Sequence, residues 1–383
     1  MRQFLMAALA VAAFLAAALL GCVRPTPQQA GSTQPILAEP VSVTPSVERL
    51  VASINRNPQL RADVEMLLQQ RFSAAGPVDL REMAGAIQRS FQPRDIAFAD
   101  LVSARFMLLP LSHSPEGRRV LGSPEVHAWF HDFLVARKEF MDSRESASLV
   151  PFLQNLSWEG PPDYVTPPGG FQSLNAFFTR TLRPGARPIA SPDDDTIAAA
   201  PVDGKAKLLA MRAGTNDITV KDGATLDVAK MLTGSSYADR FRDGAVFGFL
   251  LDINNYHHFH APVGGKIVER KDAAGNYLSV WLAPAFAVEQ YRAHYVIETP
   301  QHGLVALVAF GMSVVESVNL TAHPGDTIRK GDDLGHFAYG GSYVAVVFER
   351  GVEPSDSLRR KGPPELMAGG VPVKLGSQIA SFR

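Results

Sequence analysis

Three residue types that together can activate a nucleophile occur in separate segments of the C-terminal half of the sequence. Asp203 lies in APVDGKA, the cluster His257, His258 and His260 lies in NNYHHFHAPVGG, and Ser342 lies in GGSY. A histidine can take the proton of a serine hydroxyl, and a carboxylate can orient that histidine and stabilise its charged form. Because such triads are defined by geometry and not by chain order, the spacing alone makes these residues a candidate site.

The spacing of the histidines constrains the backbone shape of their segment. His257 and His260 are an odd number of positions apart, so on an extended strand their side chains would point to opposite faces. If both serve one site, the segment must bend, and Ala261-Pro262 and Gly264-Gly265, which follow, would permit a bend. The His-x-His form of His258–His260 also suits zinc, so a zinc cell-wall hydrolase is an alternative, although no other ligand pair is placed to complete its site.

Ser342 stands between Gly340-Gly341 and the apolar run Tyr343 to Phe348, which by itself indicates a flexible loop entering a buried strand. From Pro184 onwards, short β-rich segments alternate with Gly and Pro, and a hairpin turn is expected at 273–276. Many short strands with polar turns predict an antiparallel sandwich or barrel, to which the C-terminal tail would add one more strand.

The region before these strands has helical spacing of its apolar residues. Ser123-Pro124 has the form of a helix start, with a capping serine and a proline in the first turn. His127 and His131 lie one helical turn apart, a spacing that suits either a metal site or two half-exposed side chains. The sequence therefore predicts the α+β class, with a helical domain at 46–160 and a β-sandwich or barrel domain at 171–383.

The first 22 residues have the form of a bacterial export signal. An Ala- and Leu-rich core ends in Leu19-Leu20-Gly21-Cys22, which resembles a lipobox and implies cleavage before Cys22 and its acylation. An uncleaved membrane anchor is the alternative, because the apolar core approaches spanning length. Residues 23–45 are expected to form a flexible tether. Both alternatives place the protein outside the cytoplasm, and Val23 in place of Asp favours the periplasmic side of the outer membrane, if the cell has one.

Composition limits the remaining classes of function. The chain has 383 residues, of which 46% are apolar and 20% charged, as is typical of a globular protein of two or three domains. The formal net charge of −1 gives no global attraction for nucleic acid, so no nucleic-acid partner is expected. Cys22 is the only cysteine, so no intramolecular disulfide can form.

Five segments resemble motifs of the phosphatidylserine decarboxylase family and occur in that family's order. They are FFTRTLRPGARPIASP, APVDGK, YHHFHAPVGGKI, FGMSVVESV and GDTIRKGDDLGHFAYGGSYVAVVFE. The helical region together with the first motif is most similar to a subgroup that contains fungal L-tryptophan decarboxylases. The resemblance implies a proenzyme that cuts its own backbone between Gly341 and Ser342, leaving a long and a short chain that remain associated.

The resemblance also implies the cofactor and the role of each residue. Ser342 would attack the Gly341 carbonyl, and elimination and loss of ammonia would leave a pyruvoyl group at position 342. Such an electron-poor carbonyl can accept the electrons that decarboxylation leaves on Cα. His260 matches the histidine that activates the serine, and Asp203 matches the carboxylate that orients it. His257 matches the histidine of the decarboxylation step.

The resemblance leaves the substrate open. We expect phosphatidylserine, converted to phosphatidylethanolamine with release of CO2, since this substrate suits a membrane-tethered enzyme. A free aromatic amino acid such as tryptophan suits the subgroup and is the alternative. A non-catalytic binding lipoprotein is a further interpretation, because His258 and Tyr343 stand where many members have Arg and Thr. No metal is implied, and a homodimer is compatible with the sequence.

Overall fold

The computed structural model describes eleven ranges of the chain. The described residues are 44–71, 114–156, 163–211, 218–219, 225–226, 228–252, 255–273, 291–311, 317–339, 342–359 and 370–383. The predicted export signal, nearly all of the predicted tether, most of the predicted hairpin turn at 273–276, and Gly341 lie outside these residues.

The helices before the strands belong to the region that the sequence predicts to be helical. They are α1 (Thr44–Arg56), α2 (Pro58–Arg71), α3 (Pro115–Leu121), α4 (Pro124–Asp142), a 3-10 turn (Glu145–Leu149) and α5 (Val150–Leu156). Ser123 caps α4 as predicted, since its hydroxyl accepts the N–H of Val126 at 3.3 Å. An ion pair between Asp63 and Arg119, with its shortest contact at 2.6 Å, joins α2 to α3. None of the described helices is long and apolar enough to cross a membrane.

The remainder of the described chain is mainly strand. The strands are β1 (Ile197–Ala199), β2 (Gly204–Ala210), β3 (Ile218–Thr219), β4 (Thr225–Leu226), β5 (Ala245–Leu251), β6 (His258–His260), β7 (Gly265–Ala273), β8 (Arg292–Glu298), β9 (Leu304–Gly311), β10 (Ser317–Leu320), β11 (Thr327–Ile328), β12 (Asp333–Ala338), β13 (Ser342–Phe348), β14 (Val352–Pro354), β15 (Val371–Val373) and β16 (Gln378–Phe382). Four short helical segments accompany them: α6 (Leu174–Phe178), α7 (Val228–Met231), a 3-10 turn (Ala238–Phe241) and α8 (Asp356–Arg359). This content confirms the α+β class.

One large antiparallel sheet organises the β region. Its strand order is β11-β7-β8-β9-β13-β5-β2-β15, and two three-stranded sheets, β10-β12-β6 and β1-β16-β14, accompany it. Side chains alternate across the sheet, so Val344 and Val346 of β13 share a core cluster with Phe259 of β6 and Ile379 of β16. Both small sheets therefore pack on the same face of the main sheet, which is the predicted sandwich.

The chain after Ser342 is built into both layers of the sandwich. β13 lies between β5 and β9, and β15 pairs with β2 at the edge of the main sheet. β16 lies between β1 and β14 in a small sheet. The tail thus returns to the core as two strands, β15 and β16, where the sequence predicts one.

Tyr343 is a departure from the family's common Thr, and its ring lies on the face of the main sheet opposite to Val344. There it packs against Phe310, with ring centroids 5.9 Å apart. Gly248 of β5 makes room for it, because a Cβ built on Gly248 would overlap the Tyr343 hydroxyl. The bulk of Tyr343 is therefore directed away from the face that carries the Ser342 side chain.

We expect Gly248→Ala to destabilise the protein by about 1–3 kcal/mol, because the added methyl forces the Tyr343 ring out of its place. Urea unfolding in a Ser342→Ala background measures this effect without interference from chain cleavage. Gly351→Ala is the matched control, since no atom lies within 4 Å of the Cβ it would add. The cost of Gly248→Ala should shrink in a Tyr343→Thr background; an equal cost in both backgrounds would contradict this packing.

Candidate active site

The strand that carries the histidines pairs with the strand that leads to Ser342. β6 and β12 are antiparallel neighbours, and the Phe337 N–H donates to the His257 carbonyl at 2.9 Å. Only residues 339–341 separate the end of β12 from Ser342. This pairing brings the histidine segment alongside the chain that approaches the expected cleavage point.

Asp203 lies at the same end of the main sheet as Ser342. Asp203 directly precedes β2, Ser342 begins β13, and β5 lies between these strands with Leu251 opposite Ser342. Since neighbouring strands are about 4.8 Å apart, Asp203 and Ser342 are roughly 10 Å apart across the sheet. The backbone N–H of His260 donates to the carbonyl of Pro201 at 2.8 Å, and Pro201 lies two residues before Asp203. The fold thus gathers all three candidate segments at one end of the sheet.

The Ser342 side chain is buried. Ser342 is 0% exposed, and its side chain lies on the same face of β13 as that of Val344. Among the described residues, none forms a hydrogen bond with its Oγ. A buried hydroxyl without a partner costs free energy, and such groups are rare unless they have a special role. The Oγ is therefore available for reaction.

His257 points to the core side of β6. It is two residues from Phe259, which belongs to the same core cluster as Val344. Its ring stacks on Phe178 of α6, with ring centroids 3.7 Å apart. Its Nδ1 lies 2.8 Å from the Asn255 carbonyl, an acceptor, so Nδ1 carries the proton and donates. This leaves Nε2 as the atom with a lone pair.

The surroundings of His257 keep that lone pair available. Burial lowers the pKa of His257 well below its ordinary value, and the charge of Arg180 lowers it further, so the ring is neutral at neutral pH. Within the described part of the chain, Nε2 is buried and has no hydrogen-bond partner. A neutral base and the unengaged hydroxyl of Ser342 thus project into the same core layer. A carbonyl-bearing group at position 342 would need a base for proton transfer, and the lone pair of His257 Nε2 fits that need.

His260 points to the opposite side of β6, as the odd spacing from His257 predicts. Its Nδ1 lies 2.8 Å from the Gly331 carbonyl and its Nε2 lies 3.1 Å from the Tyr256 hydroxyl. With Nδ1 donating to Gly331, Nε2 accepts from Tyr256. Burial lowers the pKa of His260, while the charges of Asp333 and Asp203 oppose that fall. Its assignment as the base that activates Ser342 stays a prediction.

A buried arginine from the motif FFTRTLRPGARPIASP holds Asp203. Arg187 is buried, and its Nε and Nη2 donate to the Asp203 carboxylate at 3.0 and 2.6 Å. The Leu375 N–H donates to the same carboxylate at 2.7 Å. These charge-assisted bonds fix the carboxylate beside the segment that ends at His260. Its role in orienting His260 stays a prediction.

His258 belongs to a polar stack on the outer side of β6. Its Nδ1 lies 2.7 Å from Asp333 Oδ2, and its Nε2 lies 3.2 Å from the Thr179 carbonyl. The Tyr256 ring lies parallel to it at 4.9 Å, and the His336 ring is 5.0 Å away. Because this stack occupies the side opposite to His257, the His258 ring does not project into the layer that holds Ser342.

The structure places no complete set of metal ligands among the residues that it describes. No group of three or more His, Cys, Asp or Glu within them could hold a metal ion. His127 bonds instead through Nε2 to the Leu121 carbonyl at 3.0 Å, and His131 is exposed. In this part of the chain the zinc interpretation has no site to support it.

Comparison with known proteins identifies the family. The family model described as phosphatidylserine decarboxylase matches residues 174–381, more than half of the chain. The chain belongs to the phosphatidylserine decarboxylase family. The matched residues contain all four predicted catalytic residues, and they begin after α1–α5, so the helical region lies outside the part that the family model recognises.

Relatives within and beyond bacteria share this part of the chain. "Phosphatidylserine decarboxylase proenzyme 2" of Oryza sativa subsp. japonica is 33% identical over 220 residues, which cover 55% of this chain and 35% of that protein. "Phosphatidylserine decarboxylase proenzyme" of Fusobacterium nucleatum is 26% identical over 245 residues, 63% of this chain and 80% of that protein. "Decarboxylase iboD" of Amanita muscaria is 29% identical over 206 residues, 47% of this chain and 59% of that protein. The chain thus spans about a third of the length of the rice protein.

The sequence analysis did not identify the side chains that contact Asp203, His257 and His260. Arg187 and Phe178 both lie inside the first quoted motif, so their place in a motif was a signal, but their partners are distant in the chain. Tyr256 directly precedes the histidines and bonds to His260. Tyr339 lies three residues before Ser342 and has a positive φ, which no sequence pattern predicted.

Proposed function

We propose that the protein is a pyruvoyl-dependent decarboxylase, made as a proenzyme that cuts its own chain between Gly341 and Ser342. The observation that carries this proposal is the pair of buried atoms Ser342 Oγ and His257 Nε2, which lack partners among the described residues. Membership of the phosphatidylserine decarboxylase family supports it. A purely structural serine and histidine in a packed core would be expected to have their polar atoms paired.

The self-cleavage that we propose uses groups of this chain and one water molecule. Ser342 Oγ attacks the Gly341 carbonyl carbon, the C–N bond between the two residues breaks, and an ester forms. Loss of the Ser342 Cα proton and breakage of its Cβ–Oγ bond then release Gly341 as a carboxylate. Addition of water and loss of ammonia leave the pyruvoyl group at residue 342. A histidine must accept the hydroxyl proton; His260 is the family's assignment, and His257 Nε2 is the unengaged base on the core side.

The architecture supports a cut at this point, because the two products would remain together. The short chain, 342–383, begins with β13, which is paired with β5 and β9 along its whole length. Its remaining strands complete the main sheet edge and a small sheet. Breaking one peptide bond before β13 removes none of these hydrogen bonds, so the pieces would stay associated by the sandwich core itself.

In the decarboxylation step, the pyruvoyl group supplies an electron sink for the substrate's Cα. The chain's own contribution is proton transfer at His257 Nε2. Because burial keeps this ring neutral, Nε2 would first take a proton from the substrate's ammonium group and would return it to Cα after CO2 leaves. Asn255 fixes the tautomer, and Phe178 fixes the plane of the ring.

For the substrate we propose phosphatidylserine, with phosphatidylethanolamine as the product. The rice and Fusobacterium relatives carry that substrate in their names. A lipid anchor at Cys22 would hold the enzyme at a membrane surface, which suits a phospholipid substrate. A free aromatic amino acid is the second candidate, favoured by the likeness of the helical region and by a relative that is named only as a decarboxylase.

Purified protein should run as two chains on a denaturing gel, and the short chain should be blocked at residue 342 and lighter than its encoded sequence by one ammonia. Ser342→Ala should remain one chain without activity, because the attacking hydroxyl is gone. His257→Ala should still be cut but should lose roughly 10²- to 10⁴-fold in turnover, the range for a missing acid–base group. A single active wild-type chain would refute the pyruvoyl mechanism. An uncut His257→Ala variant would show that our division of roles between the histidines is wrong.

The substrate is tested with the processed enzyme, on vesicles that contain phosphatidylserine and, separately, on tryptophan. We expect CO2 release from the vesicles, because the anchored enzyme would meet its substrate in a membrane. Ser342→Ala protein is the control for non-enzymatic release. Turnover of tryptophan without turnover of vesicles would replace our substrate with the second candidate.

The anchor is tested by Cys22→Ser in the expressed full chain. Wild-type protein should sediment with membranes and carry fatty acid, and the variant should lack the acyl chains that hold it there. Fractionation and labelling with a radioactive fatty acid measure both properties. Wild-type protein that is embedded in the membrane without a fatty-acid label would favour the uncleaved anchor instead.

A further inference from the structure

The helical region, although outside the family match, contacts the chain just before Ser342. Tyr339 is the last described residue on that side of the expected cleavage point. Its hydroxyl donates to Asp142 Oδ2, in the last residue of α4, at 2.8 Å. Burial and the neighbouring Asp142 raise the pKa of Tyr339 to about 12, so its hydroxyl stays protonated and acts as the donor.

The backbone of Tyr339 is held in an unfavourable conformation. Its φ of +70° lies in the left-handed region that residues with a Cβ rarely adopt. Such a conformation persists only where the surrounding contacts impose it. The ring packs on a cluster from the helical region and α6 that includes Met141, Leu153 and Phe177, and Lys138 Nζ lies 5.6 Å from the ring centroid. The contacts with this cluster and with Asp142 are the ones that can impose it.

Asp142 also accepts a hydrogen bond from α6, the helix that packs on the predicted catalytic residue His257. Its Oδ1 accepts a hydrogen bond from Asn175 Nδ2 of α6 at 2.9 Å. Phe178 of the same helix stacks on His257. One carboxylate at the end of α4 therefore ties together the chain that approaches the cleavage point and the support of the predicted catalytic histidine.

We propose that Tyr339 and Asp142 are positioning residues for self-cleavage, through which the helical region holds the chain on the N-terminal side of the bond that is cut. This inference rests on the self-cleavage proposed above. β13 holds the C-terminal side, so that only Gly340 and Gly341 separate two fixed points. Glycines lose more conformational freedom than other residues when they are ordered. Anchors on both sides would limit the arrangements of the Gly341 carbonyl relative to Ser342 Oγ and so favour attack.

The test is the rate of self-cleavage of newly synthesised full-length protein, followed on denaturing gels. Tyr339→Phe keeps the ring and removes the hydroxyl, and Asp142→Asn weakens the acceptor. We expect each to slow cleavage roughly tenfold or more, since each weakens a hydrogen bond to a charged group that positions reacting atoms. Because the two residues act through one contact, their effects should not add. The double variant should therefore cleave about as slowly as the slower of the two single variants.

Matched controls separate positioning from general stability. Asp132→Asn removes an exposed carboxylate from the same helix, where it pairs with Arg49, and Tyr237→Phe makes the same change in a tyrosine that packs on the opposite face of the main sheet from Ser342. Both should cleave at the wild-type rate. Turnover per cleaved molecule should be unchanged in Tyr339→Phe, which leaves the bond between Asp142 and Asn175 in place, a result that loss of structure would not produce. Equal slowing by Asp132→Asn would overturn the positioning role.

Two further outcomes distinguish this inference from the proposed function. If the wild-type chain is never cut, the proposed function fails and the inference fails with it. If the wild-type chain is cut and both Tyr339→Phe and Asp142→Asn are cut at its rate, the function stands and the positioning role is refuted. Hydroxylamine, which cleaves esters, should release no short chain from the slowed variants. Release would show that attack had already occurred and that Tyr339 does not position it.

Discussion

The pairing of β13 on both sides is the constraint on which the rest of the structure depends. β13 lies between β5 and β9 from Ser342 to Phe348, and every one of its residues is buried. Ser342 is therefore both the first residue of a fully buried central strand and the residue that we propose is consumed. A reactive backbone position needs freedom on one side and a fixed geometry on the other, and the start of a central strand provides both.

The alternation of side chains along β6 divides the histidines between two environments. His257 lies on the core side with its Nε2 unpaired among the described residues, whereas His258 and His260 lie on the outer side with partners at both ring nitrogens. The division follows from the period of a strand and is independent of any family likeness. It places His257 on the side of β6 that faces the core layer of Ser342, and His260 on the other side.

Local patterns in the sequence predicted much of the fold, and motif likeness predicted the candidate residues. The cap at Ser123 follows from capping chemistry, and the sandwich follows from short strands separated by turn residues. The partners of the site residues could not be predicted in the same way. Arg187 with Asp203, and Tyr339 with Asp142, are side-chain contacts between distant segments, and only the folded chain brings them together.

The two departures from the family pattern show how such partners alter the interpretation of a sequence. Tyr343 is bulky and adjacent to Ser342. Adjacent residues of a strand point to opposite faces, however, and Gly248 accommodates the Tyr343 ring on the face opposite to the Ser342 side chain. His258 is likewise on the outer side of β6, in a stack with Tyr256 and His336. Neither change enters the layer that contains Ser342 and His257, so neither argues against catalysis. The residue near the proposed cleavage point with an unusual backbone is instead Tyr339, whose hydroxyl donates to Asp142 in a region that the family model does not recognise.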